Sequence, residues 1–377
     1  MKGWKVVVSL GLAVLACAWS DKASAVAVVR TLEAGGEVTS LDYDAASGLL
    51  IAGVKVPLPK PDGSCASVAR VWDARSGRLL HTLKGHKRCH VDVAVANGRA
   101  LLTTSDEVRV WDASTGSLQR HFGALSTLAP AALEPKQGWV ATINGDGCSA
   151  SIQALSSGAV LHRFEHCMAP PDVTQDHLRT LTFAPGGGLL LTVGHETVQG
   201  WDPATGNRRW SLQRNRERAF YKDTTLSHAL SPDGKLLLTG GVDNAFRLWQ
   251  PSTGRMLRQA DHPGRSHDHT GAIAFSPDGT FFATGGESGR IHLWTQSEGK
   301  PRQILHDERH TIVSIRFSRN GRLLAAGCSH GHVQLWDLST GQLRHRLEGE
   351  HFVMDPPGGD LLVARPGGKL ELIQVQN

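Results

Sequence analysis

Apolar residues along this chain come in short runs, and turn residues break each run before a helix could complete two turns. The clearest stretch is Ala272-Ile-Ala-Phe275, then Thr280-Phe-Phe-Ala-Thr284, then Arg290-Ile-His-Leu-Trp294. Runs this short, rich in β-branched and aromatic residues and bounded by turn residues, predict strands. Ser276-Pro277-Asp278-Gly279 separates the first two. Its proline presets φ, its aspartate hydrogen-bonds locally and its glycine accepts a positive φ, so it joins antiparallel neighbours. Ser231-Pro232-Asp233-Gly234 repeats that turn in full, and Ser318-Arg319-Asn320-Gly321 and Ala184-Pro185-Gly186-Gly187 repeat it in part. A second turn follows the third strand: Val108-Arg-Val-Trp111-Asp112-Ala-Ser-Thr-Gly116 and Val333-Gln-Leu-Trp336-Asp337-Leu-Ser-Thr-Gly341 are nearly the same phrase. It leads into a fourth strand such as Gln342 to Leu347.

This four-strand unit recurs. Trp72-Asp73, Trp201-Asp202, Trp249-Gln250 and Trp294-Thr295 end equivalent third strands, and adjacent copies lie 37 to 48 residues apart. Ser151 to Gly158 fills the gap between Trp111 and Trp201, with Ala154 placed where the tryptophan is lost, and Leu370 to Gln374 is a last copy. A period near 40 to 45 with four short strands is the propeller pattern.

The repeats resemble the WD-repeat β-propeller family, as an exported bacterial-type member. The resemblance implies an all-β chain folded as a single propeller. The copies count to eight four-stranded blades; seven, the commoner number in that family, stands as the alternative. Val26 to Thr31 reads as a strand ahead of the first full copy, placed to pair into the last blade and close the ring.

The N-terminus reads as a processing segment. Lys2 and Lys5 precede the apolar stretch Val6 to Leu15, and Ala23-Ser24-Ala25 supplies small residues for cleavage. Residues 1–25 are therefore expected to be a signal peptide and 26–377 the propeller, periplasmic or secreted. Cleavage after Ala25 is favoured over acylation at Cys17, because Leu15 is a poor residue for a lipoprotein box. The apolar stretch is too short to span a bilayer. The 377 residues carry 40 basic and 35 acidic side chains, a net charge of +5, too small a surplus to predict a nucleic-acid partner.

Most conspicuous residues read as structural. Trp72, Trp111, Trp201, Trp249, Trp294 and Trp336 are expected between blades, with Asp112, Asp202 and Asp337 in the turns that follow. The resemblance further implies hydrogen-bonded sets, matched here by Trp111 with Thr103, Asp106 and His86, and by Trp249 with Thr239 and Asp243. Trp336 instead faces Ala326 and His330.

Several histidines fall in loops expected on one rim, among them His86, His90, His166 and His330. His267, His269, His306 and His310 are the nearest approach to a metal-binding set, but their spacing fixes no geometry, and no metal or cofactor is expected. Export permits disulfides. Cys65 with Cys89, and Cys148 with Cys167, occupy the same two kinds of loop and are the candidate pairs; Cys328 is left as a buried thiol.

The loop bearing Arg214, Arg216, Arg218, Phe220, Tyr221 and Lys222 suits an acidic protein partner. No nucleophile elbow, phosphate loop or dinucleotide fingerprint occurs. The enzymatic rival is a quinoprotein-like or metal-binding periplasmic propeller. Asp202-Pro-Ala-Thr205-Gly206-Asn-Arg-Arg-Trp210 matches the quinoprotein turn, but the other repeats place His81, His121 or Arg346 near its final position. The expectation is a non-catalytic, monomeric interaction scaffold that binds through its loop-rich face.

Overall fold

The computed structural model describes residues 27–57, 65–96, 99–103, 107–123, 131–134, 136–167, 176–194, 197–213, 225–241, 244–261, 270–297, 300–306 and 310–375. The proposed signal peptide, Cys17, the loop from Arg214 to Lys222, and His267 and His269 lie outside these residues. All regular structure among the described residues is β, and their strands form eight four-stranded antiparallel sheets. Seven sheets each take four successive strands; the first is Glu37–Asp44, Leu49–Pro57, Cys65–Asp73 and Leu79–His86. The eighth is made differently. His351–Met354, Leu361–Arg365 and Lys369–Gln374 supply three strands, and Ala27–Glu33 pairs antiparallel onto Lys369–Gln374 as the outer one. The fold is a β-propeller. His351–Met354 packs against both Glu37–Asp44 and Ile312–Phe317, so the eighth sheet lies between the first and the seventh.

Sheet faces meet through one recurring wedge: in the six sheets that have one, the third-strand tryptophan packs against the sheet before it. Trp72 joins Leu362, Leu370 and Leu372 of the eighth sheet, and Trp111 joins Ile51, Val71 and Leu83 of the first. Trp294 is 1% exposed and sits 4.6 Å, centroid to centroid, from Phe246 of the fifth sheet. Large aromatics buried at every seam supply much of the apolar burial that holds such a ring together.

A bulge marks the tryptophan position. The register shifts between Val71 and Trp72, Val110 and Trp111, Gly200 and Trp201, Leu248 and Trp249, and Leu335 and Trp336. In the third sheet the same shift falls between Ile152 and Gln153. Gln153, not Ala154, therefore stands where the tryptophan is lost. Its Nε2 lies 3.5 Å from Thr142 Oγ1, so a side-chain N–H still points at the threonine position.

One rim carries the turns between first and second and between third and fourth strands, and there six of the eight sheets are tied to the next by the same contact. The residue paired across from the one before the tryptophan reaches over the neighbouring turn. Arg30 Nη1 donates to Arg75 O at 2.7 Å, His81 Nε2 to Ser114 O at 2.9 Å and His162 Nε2 to Ala204 O at 2.9 Å. Arg120 Nη2 donates to Ser156 O at 2.5 Å, Trp210 Nε1 to Pro251 O at 2.6 Å and Arg258 Nη1 to Thr295 O at 3.1 Å. The position thus belongs to Arg120 rather than His121, and in the seventh sheet to His345 rather than Arg346, because strand alternation sends the neighbour to the other face. Trp210 is one member of this girdle. Beneath it the turn needs glycine twice over: Gly116 and Gly206 have φ of +71° and +77°, and a Cβ there would meet His81 or His162 within 2.9 Å.

Candidate binding face

The loops between second and third strands, and those between one sheet and the next, share the other rim. Disulfides join them there. Cys65, opening the third strand of the first sheet, bonds Cys89 in the loop that leaves that sheet, and Cys148 bonds Cys167 in the same relation two sheets on. Both pairs have Cα atoms 5.0 Å apart, within the ordinary range for a disulfide. Cys328 is a buried thiol, 4% exposed.

Trp201 heads the most complete polar set among the described residues. Its Nε1 donates to Thr192 Oγ1 at 2.8 Å, and that hydroxyl lies 2.9 Å from His166 Nδ1. His166 Nε2 lies 3.2 Å from Asp176 Oδ2, which also accepts from Thr197 N at 3.0 Å and Thr197 Oγ1 at 2.5 Å. Buried polar groups are tolerated when each has a partner, and His166 is 1% exposed. Trp249 and Trp294 keep the first link, to Thr239 at 2.9 Å and to Thr284 at 2.8 Å. Trp336 donates to Gln334 Oε1 at 3.2 Å, since Ala326 stands at the threonine position. The Trp111 expectation is off in register: Trp111 pairs with Ala100, so Leu102, not Thr103, holds the position that Thr192, Thr239 and Thr284 hold two residues on from the partners of their tryptophans. Trp111 Nε1 has no partner among the described residues.

His306 is exposed, while His310 lies 5.2 Å from His330 and 6.0 Å from His332, ring to ring. Among the described residues no three His, Cys, Asp or Glu side chains are arranged to hold a metal ion. His330 and His332 instead line a cleft of about 650 Å³ between the seventh, eighth and first sheets, with Glu37, Glu348, Glu350, His351 and Arg365. Lys55 pairs with Glu37 at 3.0 Å and Arg365 with Glu371 at 2.6 Å. Burial pushes the His351 imidazole below its ordinary value, with His90 acting the same way and the charges of Glu350 and Asp92 opposing it.

On the far side of the first sheet, the loop carrying Cys89 is basic and ordered by contacts. Val91 is fully buried and its carbonyl accepts from Thr39 Oγ1 at 2.9 Å and Ser40 Oγ at 2.8 Å. Arg109, ion-paired with Glu107, donates to Lys84 O at 3.2 Å. Lys84, Lys87 and Arg88 are exposed around the buried His86. Sequence reading overlooked this segment because its cations are ordinary in number; only the disulfide and its anchors make them fixed.

Comparison with known proteins agrees with this architecture. Residues 222–250 and 263–295 match the family "WD domain, G-beta repeat", and residues 303–354 match "Anaphase-promoting complex subunit 4 WD40 domain". The matched segments are thus similar to WD repeats. Nuclear distribution protein PAC1 of Arthroderma benhamiae is 25% identical over 228 residues, 48% of this chain and 49% of that protein. Autophagy-related protein 16 of Arabidopsis thaliana is 25% identical over 203 residues, 50% of this chain and 36% of that one. The chain thus spans about half or less of the length of these curated relatives. Among solved structures, the computationally designed Ika8 protein superposes with a TM-score of 0.70 at 19% identity, covering 92% of this chain and 99% of that one. That likeness concerns the fold alone. Among the described residues no helix is long and apolar enough to cross a membrane.

Proposed function

We propose that this chain is an exported, non-catalytic WD-repeat propeller that binds another protein through its disulfide-bearing rim. The observation that carries the reading is the pair of disulfides. Each fixes a loop of that rim to the strand beside it, and neither touches the turn rim. Loops held on a rigid scaffold are where such folds recognise partners, and loops fixed beforehand cost less entropy on binding. Structural disulfides belong to oxidising compartments, which supports export and cleavage near Ala25. We also read the eight sheets as the eight blades of one closed ring. The support is the pairing of Ala27–Glu33 onto Lys369–Gln374, which removes an open edge at the seam.

Photo-crosslinking in the exported fraction tests the binding reading. A photoreactive residue placed on the disulfide-bearing rim at Arg88 should trap a partner polypeptide, and one placed on the turn rim at Lys235 should not. Equal trapping from both rims overturns the assignment. Replacing Arg214, Arg216 and Arg218 together tests that loop separately: unchanged trapping removes it from the interface.

A further inference from the structure

The partner's chemistry can be narrowed, on the assumption that the disulfide-bearing rim is the binding surface. Several basic side chains near that rim are already neutralised. Lys55 is paired with Glu37, Arg109 with Glu107, Arg163 with Asp146 and Glu165, and Arg365 with Glu371. Lys84, Lys87 and Arg88 differ: they are exposed, and none forms an ion pair with the described residues. Their backbone is nevertheless held at several points. The Cys65–Cys89 disulfide fixes one end, and the Val91 carbonyl accepts two hydroxyls just beyond it. Arg109 lies over Gly85, whose φ of +118° and closeness to that guanidinium leave no room for a side chain. His90 closes the loop against Asp92 at 2.9 Å. Three uncompensated cations on a backbone that has already lost its freedom form a preorganised electropositive contact.

We infer that the segment Lys84–His90 docks an acidic stretch of a polypeptide partner. A protein segment fits better than a long polyanion because the positive region is short. Across the first sheet lies the cleft that bears Glu37, Glu348 and Glu350, and the last two form no ion pair among the described residues. A nucleic acid or an anionic membrane laid over the loop would meet those carboxylates, whereas a peptide a few residues long would not.

The test is fluorescence anisotropy of an oligoglutamate peptide titrated with the oxidised full-length protein. A single-stranded oligonucleotide of equal charge and phosphatidylglycerol vesicles serve as rival probes. The double variant Lys87→Glu/Arg88→Glu is expected to weaken peptide binding by about tenfold or more. Lys235→Glu on the turn rim should leave it unchanged, which separates a local effect from net charge. Added salt should weaken the wild type more than the double variant. Cys65→Ser/Cys89→Ser, with the other disulfide intact, should lose several-fold by freeing the loop. The charge variants keep the test decisive if that variant fails to fold, because all their sites are exposed.

No peptide binding, or equal weakening by Lys235→Glu, overturns the inference. So does tighter binding of the oligonucleotide or the vesicles. A partner crosslinked to this rim and unaffected by Lys87→Glu/Arg88→Glu would sink the acidic-segment assignment alone. Charge-dependent peptide binding with no partner trapped from either rim would sink the scaffold reading instead.

Discussion

The two rims of the propeller are built from the same eight sheets and differ in almost everything else. On the turn rim, one aspartate after another caps its own turn: Asp73 accepts from Ser76, Asp112 from Ser114 and Thr115, Asp202 from Ala204 and Thr205, and Asp337 from Ser339 and Thr340. A fourth-strand side chain then clasps the next turn. On the disulfide-bearing rim three of the described junctions are built differently. One is stapled and basic, one is stapled around a buried His166, and one opens into a cleft lined by glutamates and histidines. Where every sheet must solve the same packing problem, the sequence repeats; where no fold constraint applies, it diversifies. The difference therefore separates what every sheet needs in order to close its turns from what is free to serve the recognition proposed above.

The sharpest way to break the comparison is to remove a staple. Cys148→Ala/Cys167→Ala frees a loop of 19 residues' separation and should cost about 3 kcal/mol. Thermal melting of the variant against the oxidised wild type measures it. If recognition alone had shaped this rim, stability would hardly move.

Acid separates the rims next. The His228 imidazole, on the first strand of the fifth sheet, is pushed by burial down to about 4. The unfolded chain gains a proton below pH 6.5 that the folded chain refuses, so stability falls between pH 6.5 and 4, by up to about 3 kcal/mol. His351 on the cleft, and His345 in the seventh sheet, are displaced the same way by burial. The turn-rim carboxylates act lower. The Ser76 hydroxyl holds Asp73, the Ser114 hydroxyl Asp112 and the Arg209 guanidinium Asp202 below the ordinary value, and hydrogen bonds from Ser339 and Arg344 hold Asp337 there against the opposing effect of burial. Their contribution is present above pH 3.8 and is lost as pH falls further. Denaturation at stepped pH should show two windows of loss, and His228→Gln should flatten the upper one only.

How far the sequence revealed these rims follows from the same distinction. Trp72, Trp111, Trp201, Trp249, Trp294 and Trp336 fixed the strand count and the seams, and the two cysteine pairings followed from equivalent loops, because repeated constraints leave repeated residues. Register was harder. Ala154 in place of Gln153, and Thr103 in place of Leu102, are slips of one residue, and one residue reverses the face of a strand. The set around Trp201 was hidden because Asp176 comes from the approach to its sheet rather than from the turn after Thr192. The basic loop was hidden because Lys84, Lys87 and Arg88 become a site only through the anchors at Cys89, Val91 and Arg109.

That buried set sharpens the comparison at single-residue scale. Asp176→Ala leaves His166 Nε2 without its carboxylate and Thr197 N without an acceptor, and is expected to cost about 1–3 kcal/mol. Urea denaturation followed by circular dichroism reads the loss. A midpoint within error of wild type would mean that the set is ornamental to the fold.

The smallest effect isolates the girdle. Gly116 and Gly321 both lie on the turn rim with nearly equal φ, +71° and +68°. Alanine at either pays the left-handed backbone strain, about 1–2 kcal/mol. Around Gly321 no heavy atom lies within 4 Å of the added Cβ, whereas at Gly116 it meets His81 Nδ1 at 2.7 Å. His81 must then tilt away from the Ser114 carbonyl it holds at 2.9 Å. The difference between the two variants cancels the backbone cost and leaves one inter-sheet clasp, about 1 kcal/mol. Equal destabilisation would show that the clasp contributes nothing, and that the regularity of this rim reflects its turns alone.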